Sequence, residues 1–281
     1  MSERDDYPAG VPCWVDTLGP DPVRLNEFYG EIFGWEPSGP GAMPGEPPGE
    51  YYVAQLRGRD VAGVGSSPAG ADGQRPGWNT YIRVESADRA AEQAQAAGGT
   101  VVVDPFDVMP AGRMAVLGDA VGARFCAWEP HDRQGAQLVN EPGAWSMSFL
   151  SSPDPEAAAA FYRSMFGWET ESFSFGDMDG MLFRLPGFVG GEPEQPVARD
   201  VVATMMPLEP GDAGESTESQ WGLDFWIADT DAAAASAERL GGSVIAPPQD
   251  NPAFRAAVLA DPNGAAFSVS QLRAGASGAS A

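Results

Sequence analysis

The chain has 281 residues, with 40 acidic side chains against 16 basic ones and a formal net charge of −24. That charge opposes binding to phosphate backbones and to anionic membrane surfaces, and no run of about 18 apolar residues is present to span a bilayer. Cys13 and Cys126 are too few for a disulfide framework, and the acidic start MSERDDYPAGVP lacks the basic-then-apolar profile of a secretory signal, so a cytoplasmic protein is expected that binds neither nucleic acid nor membrane.

In chain order, CWVDTLG is strand-like, and Asp21 precedes a segment with Phe28, Ile32 and Trp35 at helical spacing. Asp accepts hydrogen bonds from the free amides of a first helical turn, and Gly34 stands where a left-handed stop belongs, so a helix runs between them. SGPGAMPGEPPGE, from Ser38 to Glu50, is dense in Gly and Pro and reads as a long loop, a lid candidate with Met43 as its covering side chain. TYIRVES is again strand-like. Ser86 or Asp88 caps the Ala-rich helix that follows, and Gly98-Gly99 ends it. TVVVDPFDV, RMAVLGD and ARFCAWE read as short strands. Residues 131–143 form the expected linker, which holds His131, the single histidine.

The series then repeats. DPVRLNEFYGEIFGWEP, from Asp21, matches DPEAAAAFYRSMFGWET, from Asp154. VESADRAAEQAQAAGGTVV matches IADTDAAAASAERLGGSVI, and VLGDAVGARF matches VLADPNGAAF. Such self-similarity marks a tandem duplication, with one domain over 8–130 and a second over 144–273, each long enough to bury its own core. Inside each copy the strand–helix–strands order recurs more weakly. Leu185 to Asp200, with Phe188, is the second copy's lid candidate, the segment from Met206 is a further flexible stretch, and 274–281 is expected to be a disordered tail.

FYGEIFGWE and FYRSMFGWE after an Asp-Pro helix start, with VLADPNGAAFSV near the end, resemble the vicinal oxygen chelate superfamily, the glyoxalase, bleomycin-resistance and extradiol-dioxygenase group. The resemblance covers nearly the whole chain. It implies an α+β fold, a tandem duplication of paired βαβββ modules in which each copy is a curved mixed sheet forming a cup with helices outside. It leaves function open, because this fold hosts isomerases, dioxygenases, lyases and passive drug binders. Metal-binding members present His, Gln or Glu from the first and fifth strands, Glu from the eighth, and one further ligand from the fourth, whose position here is not assigned. The corresponding positions here are Trp14, Tyr81 and Cys126 in copy one and Met147, Asp224 and Ser268 in copy two. A divalent site needs three or four converging N, O or S donors, so no metal and no other cofactor is expected.

Strand alternation assigns the side chains that face each cup. In copy one these are Trp14, Asp16 and Leu18, then Tyr81 and Arg83, then Arg124, Cys126 and Trp128. Aromatic walls, guanidinium groups and a carboxylate suit a planar aromatic ligand. Asp16 stands where copy two has Phe149. It is read either as a general acid/base raised by its apolar walls or as a structural partner of Arg83 or Arg124. Tyr81 either moves a proton or holds an oxygen, or is a core tyrosine. Cys126 is read as a packed thiol and His131 as a surface residue. Copy two offers Met147, Phe149, Asp224, Trp226 and Ser268, with Asp224 a second acid candidate.

Two functions stand foremost. One is a metal-independent tailoring enzyme on an aromatic polyketide-like molecule, performing a dehydration, cyclisation or ketal-forming step with Asp16 and Tyr81 catalytic. The other is a resistance protein that sequesters an aromatic metabolite unchanged. A metal-dependent isomerase or dioxygenase disagrees with the donor set, and a partner-binding module with closed cups is the fourth reading. Either a monomer or a homodimer is compatible with two copies in one chain.

Overall fold

The computed structural model describes residues 2–43, 48–67, 76–175, 178–190, 199–208 and 218–273. The Asp-Pro helix starts act as the sequence suggests. Asp21 accepts from the Arg24 amide and opens α1 (Pro22–Phe33), and Gly34 closes it at φ 75°. Asp154 accepts from the Ala157 amide and opens α3 (Pro155–Phe166), which Gly167 closes at φ 71°. Ser86 rather than Asp88 caps α2 (Ala87–Ala96), and Asp229 caps α4 (Thr230–Arg239). Asp88 and its counterpart Asp231 instead pair with Arg113 and Arg255.

The first sheet comprises β2 (Pro12–Gly19), β3 (Glu36–Met43), β4 (Gly49–Leu56), β5 (Arg59–Ser66), β6 (Trp78–Arg83), β7 (Thr100–Val108), β8 (Gly112–Gly118) and β9 (Arg124–Pro130). Its order is β3-β4-β5-β2-β6-β9-β8-β7. The second sheet repeats it with β11 (Trp145–Ser152), β12 (Glu169–Phe175), β13 (Met178–Arg184), β14 (Val201–Pro207), β15 (Gln220–Trp226), β16 (Ser243–Asp250), β17 (Phe254–Ala260) and β18 (Ala266–Leu272). In each sheet two βαβββ halves meet at an antiparallel central pair, β2 with β6 and β11 with β15. Short strands β1 (Ser2–Glu3) and β10 (Leu138–Val139) pair with each other. No helix among the described residues is long and apolar enough to cross a membrane.

Several expectations change. The glycine- and proline-rich segment Ser38–Glu50 is largely strand, since β3 runs to Met43 and pairs with β4; residues 44–47 lie outside the described residues. Likewise 191–198 and 209–217, in the other two loop segments, and the tail 274–281 are not described, while Met206 lies within β14 and Phe188 is half-buried against the core. Residues 131–143 do not form a free linker. Ala136, Leu138 and Val139 are buried, the Ala136 amide donates to the Cys13 carbonyl at 2.8 Å, and Trp35 Nε1 donates to the Gly143 carbonyl at 2.6 Å.

The largest change concerns the cores. Each draws on both copies. One joins Val15, Phe28, Tyr29, Phe33, Trp35 and Val64 to Leu223, Phe225, Leu259 and Phe267. The other joins Ile82, Leu117 and Phe125 to Phe161, Tyr162, Trp168 and Trp221. Thr80 Oγ1 and Ser148 Oγ, both fully buried, meet at 2.9 Å between the sheets. The apolar faces of the two sheets are thus shared, with the helices against them, and the opposite faces carry the cups. Phe33 packs on Phe225 with ring centroids 4.8 Å apart and on Phe267 at 5.9 Å. Phe33→Ala is expected to cost about 3–5 kcal/mol, with both copies melting in one calorimetric transition; two separate transitions would show independently folding copies.

Candidate active site and the second cup

The central pairing brings the three positions of each copy into line. Trp14 is opposite Tyr81, and Tyr81 is opposite Cys126. Met147 is opposite Asp224, and Asp224 is opposite Ser268. A β-bulge precedes Trp14 and another precedes Met147, leaving Cys13 and Ser146 as the extra residues.

In the first cup Asp16 is 1% exposed and collects three side-chain donors. Tyr81 Oη donates to its Oδ2 at 2.6 Å, Tyr51 Oη donates to the same oxygen at 3.1 Å, and Asn79 Nδ2 donates to Oδ1 at 2.8 Å. Trp14 Nε1 in turn donates to Tyr51 Oη at 2.9 Å. Burial raises the Asp16 carboxyl, and the hydrogen bonds from Tyr81, Asn79 and Tyr51 oppose the rise. The Tyr81 and Tyr51 hydroxyls are held well above the usual phenol range, first by burial and then by the Asp16 charge. Trp128 stands edge-on to Tyr81, with centroids 6.1 Å apart, and fixes its indole N–H on the Arg133 carbonyl. Cys126 is buried and its thiol is pushed well up, chiefly by that burial.

Tyr51 has no place in the sequence-based site, because the loop reading ended one residue before it. The signal lies on the neighbouring strand. Gly63 and Gly65 alternate along β5 opposite Asp16 and Leu18, clearing one face for a large ring. A Cβ on Gly63 would overlap the Tyr51 hydroxyl, and one on Gly65 would meet Tyr51 Cδ2, Leu18 Cδ2 and Met43 Sδ at 2.8–3.0 Å. Leu18 and Met43 therefore converge on the Tyr51 ring. Neither arginine joins them. Asp16 bonds to neither, so the structural salt bridge weighed for it is replaced by neutral donors. Arg124 is exposed at the start of β9, and Arg83, with its Nε buried and without a hydrogen-bond partner, borders a recess with Ser86, Arg89 and Phe166. His131 is exposed, 4.0 Å from Glu129.

The second cup is more open. Met147, Phe149, Asp224, Trp226 and Ser268 are all half-buried. Asp224 accepts from Ser146 Oγ at 2.6 Å and from Ser270 Oγ at 2.7 Å. Burial pushes its carboxyl up to about 6, with the Ser146 and Ser270 bonds pulling the other way. The Phe149 ring lies over Gly222, and Trp226 is 6.2 Å from Phe254.

The sequence profile of the glyoxalase-like domain matches twice, over residues 14–128 and 147–270. The chain belongs to the glyoxalase-like family. It is 36% identical to putative glyoxylase CFP32 of Mycobacterium tuberculosis over 96% of this chain and 97% of that one. It is 32% identical to anthracycline biosynthesis protein DnrV of Streptomyces peucetius over 96% of each. Among solved structures, the Mn(II)-bound glyoxalase of Novosphingobium aromaticivorans superposes with a TM-score of 0.60 at 15% identity, over 96% of this chain and 83% of that one, a likeness of fold. The superfamily resemblance and the α+β tandem duplication read from the sequence both hold.

The residues at this glyoxalase-like protein's three central positions do not fit a family metal. Copy one offers an indole, which is no ligand, beside a phenol and a thiol whose burial disfavours the anions a metal takes. Copy two offers one carboxylate between a thioether and a hydroxyl. No group of three or more His, Cys, Asp or Glu side chains among the described residues could hold an ion.

Two outcomes test this geometry. Gly63→Ala drives Tyr51 off Asp16 and is expected to destabilise by about 1–3 kcal/mol through strain and lost bonding, whereas Gly58→Ala leaves the Tyr51 environment, read by near-ultraviolet circular dichroism, unchanged. For Asp224 the folded carboxyl titrates above its unfolded value of 3.8. The folded state therefore holds the extra proton, and the contribution is present below that value and lost as pH rises towards 6. Asp224→Asn is expected to raise stability at pH 8 relative to pH 4 by about 1–2 kcal/mol; parallel wild-type and variant stability curves would contradict the shift.

Proposed function

We propose that this glyoxalase-like protein is a metal-independent tailoring enzyme for an aromatic, polyketide-like small molecule, working in the cytoplasm by acid–base chemistry in the first cup. The observation that carries the reading is the Trp14–Tyr51–Asp16–Tyr81 chain of hydrogen bonds. A carboxylate whose proton affinity is raised by burial, bonded to two phenols, is placed to take up and return a proton through them. Tyr51, only half-buried, is the side that meets a ligand. Its Oη takes a proton from the ligand as it passes its own to Asp16 Oδ2, and the reverse transfer hands a proton back to a ligand oxygen. Tyr81 holds the Asp16 carboxyl in place, and Trp14 and Trp128 supply flat apolar walls for rings. Dehydration, cyclisation and ketal formation need such transfer and no redox partner. Similarity over nearly the full length to proteins named for anthracycline biosynthesis supports a polycyclic aromatic substrate.

Sequestration without chemistry is the second reading. It is favoured by the fact that Asp16 is already satisfied by three donors inside the protein.

Metal-stripped protein incubated with a panel of hydroxylated anthraquinone polyketides, with tryptophan fluorescence for binding and mass spectrometry of the recovered ligand, separates the two. The enzyme reading expects a product changed by water or ring count, with turnover falling about 10²–10⁴-fold in Asp16→Asn and Tyr51→Phe while binding persists. Full turnover in Asp16→Asn would sink the mechanism, and recovery of every bound ligand unchanged would establish sequestration.

A further inference from the structure

The open face of the second sheet holds a carboxylate that no cation neutralises among the described residues. Asp224 Oδ1 accepts from Ser270 and Oδ2 from Ser146. Arg255, on β17 beyond β18, is committed to Asp231 and Asp250 on the exposed side. An ionised carboxylate offers about four acceptor positions, so the two hydroxyls orient the group without using its capacity.

Its surroundings are apolar and rich in ring faces. Met147 is opposite Asp224 in register, and Trp226 lies two residues further along the same face. Phe254 stands beside Trp226 at an interplanar angle of 47°, and Phe149 covers Gly222. These side chains are half-buried, so their outer surfaces remain open. Aromatic faces carry negative charge density, and a cation over them is held within about 6 Å. A carboxylate set among such faces joins charge pairing to cation–π attraction, the combination that selects an ammonium group carried on an apolar body. A divalent ion would find one carboxylate and two hydroxyls, well short of the six to eight oxygens Ca²⁺ takes. The overall charge of −24 further concentrates cations near the protein.

We propose that the second cup is a binding site for the protonated amine of an aromatic small molecule, with Asp224 as its ionic partner and Trp226, Phe254 and Met147 as its walls. The site is separate from the proton-transfer chain of the first cup and does not depend on it. The first cup cannot take an ammonium in the same way. Asp16 is 1% exposed and holds two phenols and an amide in the places a cation would need.

The test uses the full chain and two probes, 2-(aminomethyl)naphthalene and its N-acetyl derivative, titrated calorimetrically at pH 7.5. Acetylation removes the charge and leaves the ring. Saturable binding of the amine is expected, weakened at least about tenfold by acetylation, by Asp224→Asn and by Ser268→Phe, which fills the cup without altering its charge. Asp104→Asn, on an exposed strand, controls for the general negative field and is expected to bind as wild type does. Equal affinity for amine and amide, undiminished binding in Asp224→Asn or Ser268→Phe, an equal loss in Asp104→Asn, or no saturable binding of the amine in the millimolar range would each overturn the assignment. Because amine and amide are compared on wild-type protein, a variant that fails to fold does not remove the test.

Discussion

Everything in this chain hangs on a reciprocal bond between the copies. Tyr29 on α1 donates to Asp261 in the β17–β18 turn of copy two at 3.0 Å, and Tyr162 on α3 donates to Asp119 in the β8–β9 turn of copy one at 3.1 Å. Asp261 also takes the amides of Asn263 and Ala265, and Asp119 those of Val121 and Ala123. Each turn is therefore locked by a carboxylate that a helix of the other copy then caps. Around each tyrosine lies an aromatic cluster from both copies, Phe28, Phe33, Trp35, Phe225 and Phe267 in one core and Phe125, Phe166, Trp168 and Trp221 in the other. Neither copy could leave without exposing half of both cores.

This arrangement places the burden of stability on the shared faces and frees the concave ones. The two cups have accordingly diverged on one scaffold. Tyr51, seated on the Gly63 and Gly65 floor, closes the first around Asp16. The second keeps Asp224 half-open among Met147, Phe149 and Trp226. The central register is the same in both, so the difference lies in the side chains it carries and in the outer strands, where a register shift in β3 at Ser38–Gly41, next to the Gly41–Tyr51 pair, has no counterpart in β12.

Much of this was legible in the sequence, and the reasons for the rest are physical. Helix starts at Asp21 and Asp154 and the Gly34 stop are local signals, and the duplication follows from direct self-similarity. Strand parity puts Trp14 and Asp16 on one face, because alternation is fixed by backbone geometry, and the family's ligand spacing leads to Tyr81 and Cys126 and to Met147 and Asp224, which the register sets opposite each other. The exchange of core partners between copies was not legible, since Phe28 or Phe161 reads equally well as packing within its own copy. The lid reading of Ser38–Glu50 failed because Gly and Pro are tolerated on an edge strand, and β3 is the sheet's edge. That error hid Tyr51, although glycines alternating on β5 announce a large neighbour. Arg124 was missed in the other direction. Parity gives the face of a strand, but at its first residue the side chain is free to turn to solvent.

The buried acids sort themselves by what they accept. Asp119 and Asp261 take backbone amides that would otherwise be orphaned in tight turns, so their burial satisfies groups the fold is obliged to satisfy. Asp16 and Asp224 take none. Their donors are hydroxyls and an amide side chain on regular strands, where the backbone is already paired across the sheet and an apolar residue would serve as well. Phe149, at the position equivalent to Asp16, shows that the scaffold accepts an aromatic there. A carboxylate in such a place costs desolvation that no turn recovers. Both residues lie on the concave side of the sheet, and the roles proposed for them there would account for that cost.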